Sequence, residues 1–169
     1  MKKKKRSAAG LAKYGLLTAL AMVLSYVEYL IPFSSAVPGV KLGLANIVVI
    51  FALYRLGPGP AALISFVRVL LMSFLFGNAF ALMYSMSGAA LSLLVMLLLK
   101  KTGKFGPVGV GAAGGVSHNI GQLLCAMLVL ETEKLAYYLP VLLVSGTLAG
   151  IGIGVVGGIL IQRIDPERV

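Results

Sequence analysis

Apolar positions in this chain form six long runs, which short polar or Pro/Gly-rich segments separate. Each run is nearly continuous in Leu, Val, Ile, Ala, Gly and Met, and lacks the polar face that marks a helix at the surface of a soluble protein. Such runs predict membrane-spanning helices. The runs cover residues 11–31, 42–56, 61–76, 79–99, 106–130 and 135–161.

The separating segments predict where the chain turns. Residues 32–41 (PFSSAVPGVK) and 57–60 (GPGP) predict a loop and a sharp turn, and 77–78 and 131–134 predict two further turns. The run at 42–56 is short, because a span normally needs ~20 apolar residues. We divide the chain into a basic N-terminal tail (1–10), a six-helix membrane domain (11–161) and a C-terminal tail (162–169).

Composition supports an integral membrane protein. Hydrophobic residues make up 59% of the chain, the mean hydropathy is +0.99 and only 12% of residues are charged. A soluble domain would carry about 25% charged residues. The net charge of +10 would suggest nucleic-acid binding in a soluble protein. Here the basic residues flank the apolar runs, where they set membrane orientation, so we expect no nucleic-acid partner.

The distribution of basic residues predicts the topology. With six spans, both termini lie on one side, together with twelve of the 15 Lys and Arg residues. Lys41 and Lys134 lie on the other side, and Arg68 lies inside a span. Cytoplasmic segments carry the excess of Lys and Arg, so both termini are predicted to be cytoplasmic. A cleaved signal peptide is the alternative for the first run, but its length and Glu28 favour a retained helix.

Seven polar residues lie within or beside the spans, and this topology places them in the outer half of the membrane. They are Glu28, Lys41, Asn46, Arg68, His118, Asn119 and Gln122. The inner half is almost purely apolar. An ion or proton path would need polar groups through the full thickness, whereas a solute-binding cup needs them at one level. We therefore expect these seven residues to line a cup that opens outwards.

Arg68 is the most informative of them, since an arginine in mid-span must be paired or solvated. It either forms a structural ion pair with Glu28 or contacts the solute, and the two roles are compatible. His118 and Gln122 share one helix face, while Asn119 is turned by about 100°, so its place in the site is open. Because Lys41 and Arg68 outweigh Glu28, a solute with some negative charge is favoured.

The sequence offers no constellation for catalysis, a metal or a cofactor. It has one histidine and one cysteine, Cys125, and no spacing typical of a metal site or a catalytic triad. It has no GxxxxGK phosphate loop, so the chain is not itself an ATPase. The glycine-rich stretch 109–115 (GVGAAGG) lies in a membrane segment and predicts close helix packing.

Small residues in the first span suggest a second kind of site. Gly15 and Ala19 are four residues apart, and Ala21 is close by. Small residues at this spacing let helices approach closely in lipid. They serve either packing within this chain or docking of a partner membrane subunit.

Four stretches carry a resemblance to a known family. They are PGVKLGLANIVVIFALYRLG (38–57), VRVLLMSFLFG (67–77), YSMSGAALSLLVMLLLKK (84–101) and GGVSHNIGQLL (114–124). Together they resemble the bacterial Gx transporter family, which is also labelled heptaprenyl diphosphate synthase component I. The resemblance covers roughly residues 11–161.

That family is similar to the substrate-binding S components of energy-coupling factor transporters. The resemblance implies a six-helix S-component-like bundle in the bacterial cytoplasmic membrane. It implies that the chain binds a micronutrient or small solute from outside. It also implies that a separate transmembrane coupling subunit and ATPases are needed to transport that solute. It also implies that Gly15, Ala19 and Ala21 contact the coupling subunit, and that the loop 32–41 closes over the site.

The enzymatic label is not supported by the residues. Prenyl synthases hold Mg²⁺ and diphosphate with aspartate-rich clusters, and this chain has a single aspartate, Asp165. We therefore expect no enzyme activity. The alternative function is a non-catalytic membrane subunit associated with isoprenoid or quinone (heptaprenyl diphosphate) synthesis, or with an electron-transfer assembly.

Overall fold

The computed structural model describes residues 8–31 and 42–164, and within this part the chain forms six α-helices and one 3-10 helix. Consecutive helices run in alternating directions. The elements are α1 (Ala8–Leu30), α2 (Asn46–Arg55), α3 (Pro58–Phe76), α4 (Ala79–Thr102), α5 (Pro107–Val129), the 3-10 helix Glu133–Tyr138 and α6 (Leu139–Arg163). Lys41 lies outside the described residues, as does most of the predicted 32–41 loop.

Five of these helices, α1, α3, α4, α5 and α6, are long and apolar enough to cross a membrane. The prediction of an all-helical, multi-pass membrane protein is confirmed. The sixth predicted span is represented by α2, which has ten residues and is about 15 Å long at 1.5 Å per residue. A hydrocarbon core is about 30 Å thick, so α2 alone does not cross it. Six spans and cytoplasmic termini stay predictions.

α2 is enclosed by the other helices. Six consecutive residues, 48–53, are buried, as expected for a helix that is apolar on every side. Polar contacts hold its C-terminal end, where Arg55 Nε donates to the Ile161 carbonyl at 2.9 Å and Lys100 Nζ donates to the Leu53 carbonyl. These contacts tie the end of α2 to α6 and α4.

Basic residues gather at one end of the bundle, which we call the basic end. The ends of α2, α4 and α6 meet there, and Lys13 of α1 and Ile164 line a common groove. The basic residues described at this end are Lys13, Arg55, Lys100, Lys101, Lys104 and Arg163. The first and last described helices therefore begin and end on the same side.

The predicted turn at 57–60 is placed differently by the structure. α3 already begins at Pro58, so Pro60 lies in its first turn, where a missing backbone N–H removes no helical hydrogen bond. The chain reverses at Gly57, whose φ of +100° is accessible mainly to glycine. The prediction of a four-residue turn was wrong because proline is well tolerated at a helix start.

α5 and α6 are in backbone-to-backbone contact along the glycine-rich part of α5. A Cβ placed on Gly115 would lie 2.2 Å from the Gly146 carbonyl oxygen. A Cβ placed on Gly150 would lie 2.4 Å from the Gly111 oxygen. The close packing predicted for 109–115 is confirmed, and only glycine fits at these contacts.

We expect Gly150→Ala to destabilise the protein, because its Cβ would meet a backbone oxygen that cannot move aside. Overpacking of this kind costs about 1–3 kcal/mol, so thermal unfolding in detergent should shift down by several °C. Gly152→Ala is the matched control, since Gly152 is exposed on the same helix and a Cβ placed on it would have nothing within 4 Å. Equal unfolding temperatures for the two variants would contradict the tight contact.

Candidate functional site

A cavity of about 330 Å³ lies at the end of the bundle opposite the basic end. The last turns of α1 and α3 and the first turns of α4 form its walls. The polar side chains in its lining are Ser25, Glu28, Tyr29, Arg68, Ser73 and Ser85. Apolar residues, among them Val69, Met72 and Phe76, complete it. Two of the predicted site residues, Glu28 and Arg68, therefore share one cavity.

Glu28 holds the chain on both sides of the 32–41 segment together. One carboxylate oxygen accepts from the Gly43 backbone N–H at 2.7 Å, and the other accepts from the Leu44 N–H at 3.0 Å. These donors immediately precede α2, so the carboxylate fastens the start of α2 to the end of α1. Hydrogen bonds to a charged acceptor are stronger than neutral ones.

Arg68 has fewer partners than a buried guanidinium normally finds. Its Nη1 donates to Ser25 Oγ over a long 3.4 Å. Its Nε and Nη2 are shielded from water and have no hydrogen-bond acceptor. Within the described residues Glu28 is near enough to act on Arg68 electrostatically, but the two form no direct hydrogen bond. The predicted Glu28–Arg68 pair is therefore a charge interaction at a distance.

An aromatic cluster stands at the rim of the cavity. The ring centroid of Phe76 lies 5.0 Å from that of Tyr26 and 6.0 Å from that of Tyr29. Tyr29 and Phe76 line the cavity itself. Aromatic faces at this separation offer a flat apolar surface to a ligand or to lipid.

His118 and Gln122 lie one turn apart on the face of α5 that packs against α4. A Cβ on Gly88 of α4 would be 2.6 Å from Gln122 Cγ and 3.1 Å from His118 Cε1. Gln122 is only 1% exposed, and neither its Oε1 nor its Nε2 has a hydrogen-bond partner. Neither residue lines the 330 Å³ cavity.

Asn119 faces α6 and serves helix packing. Its Nδ2 donates to the Leu142 carbonyl at 2.8 Å, and the side chain is 4% exposed. Asn46 stands at the start of α2 beside Gly43 and is also outside the cavity lining. The six predicted residues that the structure describes are thus spread over four places, and Lys41 lies outside the described part of the chain.

Several cavity residues had no signal in the sequence. Ser25, Tyr29, Met72 and Phe76 are ordinary residues for a membrane helix, and polarity alone did not single them out. Their common feature is that α1 and α3 run parallel, with Ser25 beside Arg68 and Tyr29 beside Phe76. Knowing that α1 and α3 are neighbours would have identified them.

The three predicted docking residues do not share one surface. Gly15 and Ala19 are exposed, and nothing lies within 4 Å of a Cβ placed on Gly15. Ala21 is fully buried in the core. The exposed small-residue surface of α1 therefore consists of Gly15 and Ala19, and Ala21 packs inside the bundle.

We expect Gln122→Met to raise the stability of the ligand-free protein. Methionine keeps the shape of the side chain and removes two buried polar atoms whose missing partners cost about 1–3 kcal/mol. Thermal unfolding in detergent should rise by a few °C. Asn119→Leu should lower the unfolding temperature, because that substitution removes the hydrogen bond from Asn119 to the Leu142 carbonyl. A lower unfolding temperature for Gln122→Met would mean that the amide is satisfied.

Comparisons with known proteins identify the family. Neither the curated proteins nor the solved structures gave a match. One family, described as heptaprenyl diphosphate synthase component I, matches residues 17–160, which include all of α2 to α5 and most of α1 and α6. Within the described residues no group of three His, Cys, Asp or Glu side chains is arranged to hold a metal. The chain belongs to the heptaprenyl diphosphate synthase component I family.

Proposed function

We propose that this chain is the solute-binding membrane subunit of an import system of the energy-coupling factor type. It binds a small solute in the 330 Å³ cavity between α1, α3 and α4. The cavity opens to the outside of a bacterial cytoplasmic membrane, and the basic end of the bundle faces the cytoplasm. This orientation follows the excess of basic residues at that end.

The observation that carries the proposal is the incomplete hydrogen bonding of Arg68. A buried guanidinium needs acceptors, and in hydrocarbon no water supplies them. Two of its three nitrogens have none, although the residue lines a cavity that has room for a ligand. A solute that brings an acceptor would complete the set. Glu28 does not compete with the solute for the guanidinium of Arg68, because its carboxylate already accepts from two backbone N–H groups.

Transport would need partners, because no described residue supplies an energy source. We propose that a transmembrane coupling subunit docks on α1, where Gly15 and Ala19 are exposed four residues apart. Exposed small residues allow another helix to come into close contact. ATPases would act through that subunit.

A second candidate is a non-catalytic subunit associated with prenyl diphosphate synthesis, as the family description suggests. An apolar groove of about 250 Å³ lies between α1, α2 and α6 at the basic end. Its walls include Leu16, Leu20 and Phe51, and Lys13 stands in its lining. Such a groove fits an isoprenoid chain with its charged group near Lys13. This candidate predicts that heptaprenyl diphosphate binds equally well with and without Arg68.

We expect Arg68→Ala to weaken solute binding strongly without unfolding the protein. Loss of a charge-assisted contact costs about 2 kcal/mol or more, which raises Kd about thirtyfold or more. The variant should fold, since it gives up only one long hydrogen bond. The measurement is a thermal-shift screen of the purified protein against water-soluble vitamins and small organic acids, with native mass spectrometry for co-purified compounds.

Arg163→Ala is the matched control, because Arg163 is an exposed arginine at the basic end of α6. It should bind like the wild-type protein. A compound that binds Arg68→Ala as tightly as the wild type would remove Arg68 from the site. If no compound binds, the solute-binding proposal fails and the second candidate function is favoured.

We expect Gly15→Leu and Ala19→Leu to impair uptake while leaving solute binding intact. A leucine on this surface would keep a partner helix at a distance, and about 1–3 kcal/mol of lost packing lowers coupling about fivefold or more. Uptake of the compound found in the screen is measured in cells, and binding is measured on purified protein. Gly152→Leu, another exposed glycine with open space around it, is the control. Loss of binding in the α1 variants would indicate packing within the chain.

A further inference from the structure

The hydrogen-bonding atoms that Arg68 leaves unused lie on one edge of its guanidinium. Nε and Nη2 each direct an N–H from that edge, and the two bonds are nearly parallel. Nη1, which lies outside this pair, is the atom that contacts Ser25. Two parallel donors match the two oxygens of one carboxylate or phosphate group, and a single carbonyl oxygen satisfies only one of them.

No carboxylate of the described protein takes this place. Glu28 lines the same cavity, but both of its oxygens accept from backbone N–H groups at the start of the α2 segment. If Glu28 turned towards Arg68, it would leave the N–H groups of Gly43 and Leu44 without their acceptor. An acceptor for Nε and Nη2 of Arg68 must therefore come from outside these residues.

The charge balance of the cavity favours a single negative charge on that acceptor. Among the described residues that line the cavity, Arg68 contributes one positive charge and Glu28 one negative charge, and the walls are largely apolar. A monoanion pairs with Arg68 and leaves only the charge of Glu28 uncompensated. A phosphate or phosphonate dianion would add a second negative charge near Glu28, and like charges repel strongly where the dielectric constant is low. A carboxylate is therefore favoured over a phosphate.

The other residues that line the cavity indicate which kind of ligand body would fit it. Val69, Met72 and Phe76 are apolar, and the rings of Tyr29 and Phe76 stand at the rim. Because Nε and Nη2 are shielded from water, the guanidinium must turn before a ligand reaches it. The arginine side chain is long and flexible enough for such a turn.

Building on the proposed solute-binding function, we infer that the ligand is a monocarboxylate with an apolar or aromatic body, held by two hydrogen bonds from Nε and Nη2 of Arg68. This inference names the substrate class that Arg68 and its cavity recognise. It also makes Arg68 a specificity residue, since an uncharged analogue of the same shape leaves the guanidinium unpaired.

The test compares three probes that share one body: 3-phenylpropionate, its primary amide, and 2-phenylethylphosphonate. Each is titrated into purified wild-type protein at a pH above the second pKa of the phosphonate, so that this probe is a dianion, and binding is followed by thermal shift and by isothermal calorimetry. We expect the amide and the phosphonate to bind at least tenfold more weakly than the carboxylate. Arg68→Lys keeps the charge but not the two parallel donors, so it should lose tenfold or more in carboxylate affinity. Arg163→Lys should bind all three probes like the wild type.

Other outcomes distinguish failure of this inference from failure of the proposed solute-binding function. Equal binding of carboxylate and amide overturns the carboxylate assignment and leaves the solute-binding function standing. Tighter binding of the phosphonate overturns the single-charge argument. If none of the three probes binds while a compound without a carboxylate group does, the substrate class is wrong. If no compound of any kind binds, the proposed function itself fails.

Discussion

Polar groups inside this bundle must find hydrogen-bond partners within the protein, because hydrocarbon supplies none. Most of them do so through neighbouring backbone carbonyls. Ser92 donates to the Gly114 oxygen at 2.8 Å, and Ser117 donates to the Ala113 oxygen at 2.7 Å. The same requirement makes the exceptions informative. Arg68 keeps two nitrogens without acceptors, and Gln122 keeps both ends of its amide without partners. Of these two residues, Arg68 lines the 330 Å³ cavity and Gln122 does not, which is why we propose that the ligand binds there.

The short helix α2 gives the bundle its internal support. It is buried along six consecutive residues and fixed at both ends. Glu28 holds the segment before it, and Lys100 and Arg55 hold its last turn. The carboxylate that lines the cavity is therefore part of the scaffold and holds the segment before α2, while two nitrogens of Arg68 on another helix have no acceptor. In the proposed function, support falls to Glu28 and recognition to Arg68, two residues for which the sequence left open a structural ion pair or a contact with the solute.

The sequence predicts the helices well, because long apolar runs separated by turn residues leave few alternatives. The predicted bounds fail where local chemistry overrides composition. Residues 42–45 are apolar but precede α2, since Gly43 has a φ of +71° and its N–H serves Glu28. Pro58 starts a helix that its Gly-Pro context suggested was a turn.

The candidate site is predictable only in part. Charged residues in apolar runs identified Glu28 and Arg68, since each stands out against its surroundings. Counting residues along the helices gives the depth of a side chain, but it does not say which neighbour the side chain faces. His118, Asn119 and Gln122 were therefore expected in the cup, whereas they face α4 and α6. Tyr29 and Phe76 were missed because aromatic residues are common at the ends of membrane helices.

The glycine contact between α5 and α6 has a mechanical consequence for the cavity. Where two backbones touch, neither helix can shift without breaking the contact, so α5 and α6 form a stiff pair. α1 is held differently, since Ala21 is its only buried residue among the side chains described. The cavity thus has a yielding wall at α1 and a firmer one at α4, which packs on the stiff pair through Gly88 and Gly121. We expect ligands of different width to be accommodated by outward movement of α1, so that size selectivity is loose while selectivity for charge stays strict.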